Sequence, residues 1–83
     1  MIIRIDETTY KGSATEIMES LRLLTFNPDE FPDTDSYIRQ LQDNFTRSTD
    51  MECELPESGL EERARAMFAY LEQVGGLERL DNG

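Results

Sequence analysis

The sequence predicts an α+β fold: a small antiparallel sheet, made of a hairpin plus a third strand, packed against about three helices in the order ββααβα. Three observations predict it. Apolar residues alternate with period two near the N-terminus and again at Met51, Cys53 and Leu55. Two Ser-x-x-Glu pairs, Ser13 with Glu16 and Ser58 with Glu61, have the spacing of a capping box. Three groups of apolar residues recur at helical spacing. An all-helical body with a vestigial hairpin is the alternative.

In chain order, residues 2–11 read as the hairpin. Ile3 and Ile5 share a face, Asp6-Glu7-Thr8 supply a polar turn, and Thr9-Tyr10 favour strand. A hairpin alone is marginal in water and needs further elements against it. Gly12-Ser13 ends it and caps a first helix from Ala14 to about Leu24, with Ile17, Met18, Leu21 and Leu24 as its stripe. The run "TFNPDEFPD" holds two prolines and turn formers and reads as a loop, pinned by Phe26 and Phe31. Asp33 or Thr34 caps a second helix, with Tyr37 or Ile38, Leu41 and Phe45 on one side, fading near Arg47 to Thr49. "MECEL", residues 51–55, then alternates as a half-buried third strand with Glu52 and Glu54 outward. Pro56 closes it, and Ser58 opens a third helix carrying the longest stripe: Leu60, Ala64, Met67, Phe68, Leu71 and Val74. Gly75-Gly76 stops that helix, and the tail adds Leu77 and Leu80 before fraying. No internal repeat or long linker divides residues 1–83, so one small acidic domain is expected.

Composition narrows the function by exclusion. Histidine is absent, which removes Ser-His and Cys-His nucleophile pairs and the commonest neutral-pH base. There is no CxxC pair, Gly-rich phosphate loop or basic patch, so no catalytic residue, cofactor or direct nucleic-acid contact is assigned. Cys53 sits in an alternating apolar set and reads as a buried structural thiol. Asp29, Glu30, Asp33 and Asp35 crowd together and invite a calcium reading. An EF-hand loop would need a central glycine and a closing glutamate in register, and both are missing, so no metal is assigned. With no apolar run of membrane-spanning length and no signal-peptide pattern, a cytoplasmic location is expected, in the source cell or in a host it enters.

Charge is the informative feature. Eighteen acids face eight bases, a formal charge of −10. Residues 29–62 hold eleven of those acids against Arg39 and Arg47, while the flanking stretches are close to neutral. Such a surface repels nucleic acid and anionic membranes and attracts basic proteins, although acidity also simply keeps a small protein soluble. The expected partner-binding set is Asp29, Glu30, Asp33, Asp35, Asp50, Glu52, Glu54, Glu57, Glu61 and Glu62. A row of carboxylates at several-ångström spacing offers a nucleic-acid-binding groove the charge pattern of a phosphate backbone.

In size, acidity, single-domain build and lack of catalytic residues the chain resembles the small inhibitors encoded by phages and mobile elements, anti-CRISPR proteins and other DNA mimics among them. The resemblance is one of class, carried by composition rather than by a motif, and it transfers no site residue. It implies a non-enzymatic inhibitor that blocks a basic nucleic-acid-binding site on its partner. The alternative is a housekeeping adaptor or small regulatory subunit that binds through an apolar helix face.

Overall fold

The computed structural model describes residues 1–25 and 28–81. The hairpin forms where alternation predicts it, as β1 (Ile2–Ile5) and β2 (Thr8–Lys11), paired antiparallel with Ile3 opposite Tyr10 and Arg4 opposite Thr9. Asp6 makes the turn with φ 56, a left-handed conformation that aspartate tolerates better than most side chains. Ile3 is fully buried, and Ile5 and Tyr10 pack against the core, whereas Arg4 and Thr9 face outward. One side of the sheet is therefore covered.

Three helices provide the cover: α1 (Ala14–Leu23), α2 (Thr34–Thr49) and α3 (Leu60–Gln73). The Ser13–Glu16 capping box at the start of α1 is complete in both directions. Asp33 is the N-cap of α2 and accepts the Ser36 amide at 2.8 Å. Between them Pro28–Glu30 forms one 3-10 turn, and Phe31 meets Tyr37 edge to face at 5.5 Å. Phe26, expected to pin the same loop, lies outside the described residues. Ile17 and Met18, Ile38 and Phe45, and Ala64, Met67 and Phe68 converge with Ile3, Cys53 and Leu77 in one apolar cluster. The outer ends of the predicted stripes do not join it: Leu24 and Val74 are exposed, and Leu71 is half-buried.

The α+β class, the three helices and the three-stranded antiparallel sheet are as predicted, but the third strand is a different segment. It is β3 (Glu78–Arg79), in the sheet order β2-β1-β3, so the elements run ββαααβ rather than ββααβα. A Schellman motif causes this. Gly75, at φ 81, and Gly76 donate back to Glu72 and Leu71 at 3.1 and 2.8 Å and turn the chain toward the sheet. Leu77 then enters the core, Glu78 pairs with Arg4, and the Leu80 amide donates to the Ile2 carbonyl at 2.8 Å. With β2 and β3 on its two edges, β1 has no place left for residues 51–55.

Those residues instead belong to an extended strap, 50–59, lying against α2 and α3. Gln42 Nε2 donates to the Cys53 carbonyl at 2.6 Å, the Glu54 amide donates to the Tyr70 hydroxyl at 3.3 Å, and Cys53 Sγ rests 3.9 Å from Met67 Sδ. Alternation is real there, with Cys53 buried, Leu55 half-buried and Glu52 and Glu54 outward, because an extended chain alternates over any apolar surface, helices included. Met51 breaks the pattern and is exposed.

Candidate protein-binding face

The 16 residues of α2 span about 24 Å and separate the predicted acids into two ends. Asp29 and Glu30 lie in the 3-10 turn that leads to the N-terminus, where Asp33 caps and Asp35 sits in the first turn. Asp50 closes the other end as C-cap, at φ 58. The strap then runs back along α2, carrying Glu52, Glu54 and Glu57, until Leu55 and Glu57 face Asp35, Arg39 and Gln42 across an open groove of about 850 Å³. Gly59, Leu60 and Arg63 complete its lining. Glu62 is exposed on the first turn of α3.

Two of the ten predicted acids are committed inside the chain. Asp35 receives Arg39 at 2.9 Å from its own helix and Arg63 from α3, which ties the two helix starts together. Glu61 is turned the furthest from its expected role. Its Oε1 accepts the Thr15 amide at 2.9 Å and the Thr15 hydroxyl at 2.8 Å, and its Oε2 accepts the Ala14 amide at 3.1 Å and Arg65 at 2.8 Å. Burial works against its charge, yet the Thr15 amide, Arg65, the Thr15 hydroxyl and the Ala14 amide together hold its carboxyl down to about 2. The Ser58–Glu61 capping box is therefore not formed: α3 starts at Gly59 with no side-chain cap, and Glu61 serves the first turn of α1 instead.

Pairing of the arginines decides what is left on the surface. All seven lie within ion-pair reach of a carboxylate: Arg4 with Glu78, Arg22 with Glu19, Arg39 and Arg63 with Asp35, Arg47 with Asp43, Arg65 with Glu61 and Arg79 with Asp81. Arg22 also donates to the Phe31 carbonyl, and the Thr34 hydroxyl donates to Glu19, so this pair joins α1 to the start of α2. Arg22 is the main reason the Glu19 carboxyl lies below the usual range. Asp33 is lowered chiefly by the backbone amide of Ser36. The other eight predicted acids, Asp29, Glu30, Asp33, Asp50, Glu52, Glu54, Glu57 and Glu62, are exposed and have no cationic partner among the described residues. Helical spacing alone signals Arg39 for Asp35 and Arg65 for Glu61, but the contacts of Arg63 with Asp35 and of the Ala14 and Thr15 amides with Glu61 join distant segments that no local pattern marks.

Among the described residues no three acidic or thiol side chains converge as a metal site. Cys53, the one soft nucleophile, is buried, and burial pushes its thiol up. No helix of the described residues is long and apolar enough to cross a membrane. Comparison with protein-family models, curated proteins and solved structures finds no match to this chain.

Crowded carboxylates without counter-ions repel one another in the folded state. Raising salt from about 20 mM to about 300 mM should therefore raise the thermal midpoint by about 2–5 °C, as read by circular dichroism. A midpoint that falls with salt would show that the ion pairs outweigh the repulsion.

Proposed function

We propose that this chain is a non-enzymatic inhibitor that binds a basic, nucleic-acid-handling protein and competes with nucleic acid for its phosphate-binding groove. The observation that carries this reading is the eight exposed carboxylates of residues 29–62 left without cations after every arginine is paired. Two residues of extended chain advance about 6.6 Å, so Glu52 and Glu54 present the groove with closely spaced negative charge. Arginine- and lysine-lined surfaces would gain salt-sensitive affinity and fast association from such a face.

The test is release of captured partners. Proteins retained from a lysate on the immobilised chain at about 50 mM salt should be displaced by excess duplex DNA or RNA and lost at about 500 mM salt. Glu52→Arg, Glu54→Arg and Glu57→Arg combined should reduce capture at least about tenfold without lowering the melting temperature, since exposed charges contribute little to stability and the change relieves repulsion among the carboxylates. Glu7→Gln with Glu72→Gln, exposed acids outside the segment, should leave capture intact. Partners that hold nucleic acid and this chain together would overturn direct competition. The adaptor reading rests on Leu23 and Leu24, exposed side by side at the end of α1 at 59% and 68%, and expects the opposite salt response: capture that persists at high salt.

A further inference from the structure

The strap has few anchors. Between Asp50 and Gly59 the described hydrogen bonds to the rest of the fold are those from Gln42 to the Cys53 carbonyl, from the Glu54 amide to Tyr70 and the weak one from the Cys53 thiol to Met67 Sδ, plus the short-range contact of the Met51 amide with the Thr49 hydroxyl. Among the described residues no backbone pairing to another segment supports residues 51–56. Cys53 is the strap's one buried side chain, and Leu55 is half-buried. Few buried apolar groups and solvated backbone are the marks of a segment that opens below the global unfolding free energy.

The same ten residues carry Asp50, Glu52, Glu54 and Glu57, all exposed and without cationic partners among the described residues. Two residues of extended chain advance about 6.6 Å, the spacing open to Glu52 and Glu54, within a Debye length of about 8 Å at physiological salt. Repulsion along the strap is thus only partly screened, and it favours release of the segment into solvent. Leu55 and Glu57 also form one wall of the groove, with Asp35, Arg39, Leu60 and Arg63 on the other. Opening the strap dismantles that groove.

We propose that residues 50–59 are a charge-loaded strap that opens as a local unit, carrying Cys53 out of the core and removing one wall of the groove, and that a polycation laid along the strap holds it shut. The holding by a polycation rests on the function proposed above; the opening does not. Cation binding and closure are linked equilibria: whatever screens the carboxylates stabilises the closed form, and whatever closes the strap preassembles the acidic row for its partner.

Cys53 is the only cysteine, so its alkylation by iodoacetamide reads strap opening without any mutation. The rate is normalised to that of a free peptide of residues 49–57 and compared with amide exchange at Ile17 and Met67, buried positions that report global opening. Cys53 should react at least about a hundredfold faster than global opening allows. Raising salt from about 20 mM to about 500 mM should slow the normalised rate about three- to tenfold. Glu52→Gln with Glu54→Gln should slow it similarly at low salt, Glu72→Gln should not, and poly-L-arginine should slow it for the wild-type chain. Reaction no faster than the exchange of Ile17 and Met67 would overturn local opening. A normalised rate indifferent to salt and to the glutamine pair would overturn the charge loading. Protection by salt and glutamine but not by poly-L-arginine would overturn the holding step, and would place the failure in the proposed cation-binding role of the face.

Discussion

Phe68→Ala should destabilise the fold by about 3–5 kcal/mol, a large share of the roughly 5–15 kcal/mol that holds a typical domain folded. Phe68 is almost fully buried beside the wholly buried Met67, and both side chains join the cluster that sheet, helices and strap share. Truncation there removes transfer energy and leaves a cavity whose walls belong to several elements, so no single movement can fill it. Urea unfolding followed by circular dichroism should show the transition midpoint falling toward zero denaturant. Leu71→Ala, one turn further along α3, should cost clearly less because Leu71 is half-buried and solvent can occupy part of the space. Equal losses for the two variants would show that the core extends past the first three turns of α3.

Glu61→Ala should cost about 2–3 kcal/mol, more than any other acid-to-alanine change on the predicted face. The substitution leaves the Ala14 and Thr15 amides at the start of α1 without their acceptor and frees Arg65 from its partner. Solvent reaches 34% of the Glu61 side chain, so the coulombic part is screened and the hydrogen bonds carry most of the loss. Its pH dependence has a definite sign. The folded carboxyl is held at about 2 against 4.5 for the free side chain, so between those values the unfolded chain binds a proton that the folded chain does not. The stabilisation is full above about pH 4.5 and is lost as pH falls through about 2. Urea midpoints of wild type and Glu61→Gln measured from neutral pH downward should therefore converge across that window. A gap between them that stays constant down to pH 2 would rule out the carboxylate as the source.

Glu61 also shows why the predicted face needed revision. In sequence it belongs with Glu57 and Glu62 as one more acid after Pro56, and its spacing from Ser58 suggests a local cap. Arg65, four residues on, is its one local donor; its backbone donors lie 46 and 47 positions away, and no local pattern points to them. Asp35 is similar: Arg39 is a neighbour that helical spacing predicts, but Arg63 reaches it only because α2 and α3 start side by side. The acids that remain outward, from Asp50 through Glu57 in particular, keep in three dimensions the contiguity they have in sequence because the strap is extended.

By itself the sequence determined what short-range physics controls: the hairpin, the Ser13 and Asp33 caps, the extents of α1 and α2, the stop at Gly75-Gly76 and the buried middle of each apolar stripe. These follow from hydrogen bonds and periodicities spanning a few residues, which are the same in any tertiary setting. Only the tertiary structure decided which segment became the third strand, where Glu61 points and that Arg63 reaches Asp35. Each of these is a competition between distant groups for one place. Glu78 and Arg79 hold the open edge of β1 because Leu77 anchors them beside it and Arg4 pairs with Glu78. Residues 51–55, with the better strand pattern, were left to lie on helices, because a strand requires a partner edge as well as a period.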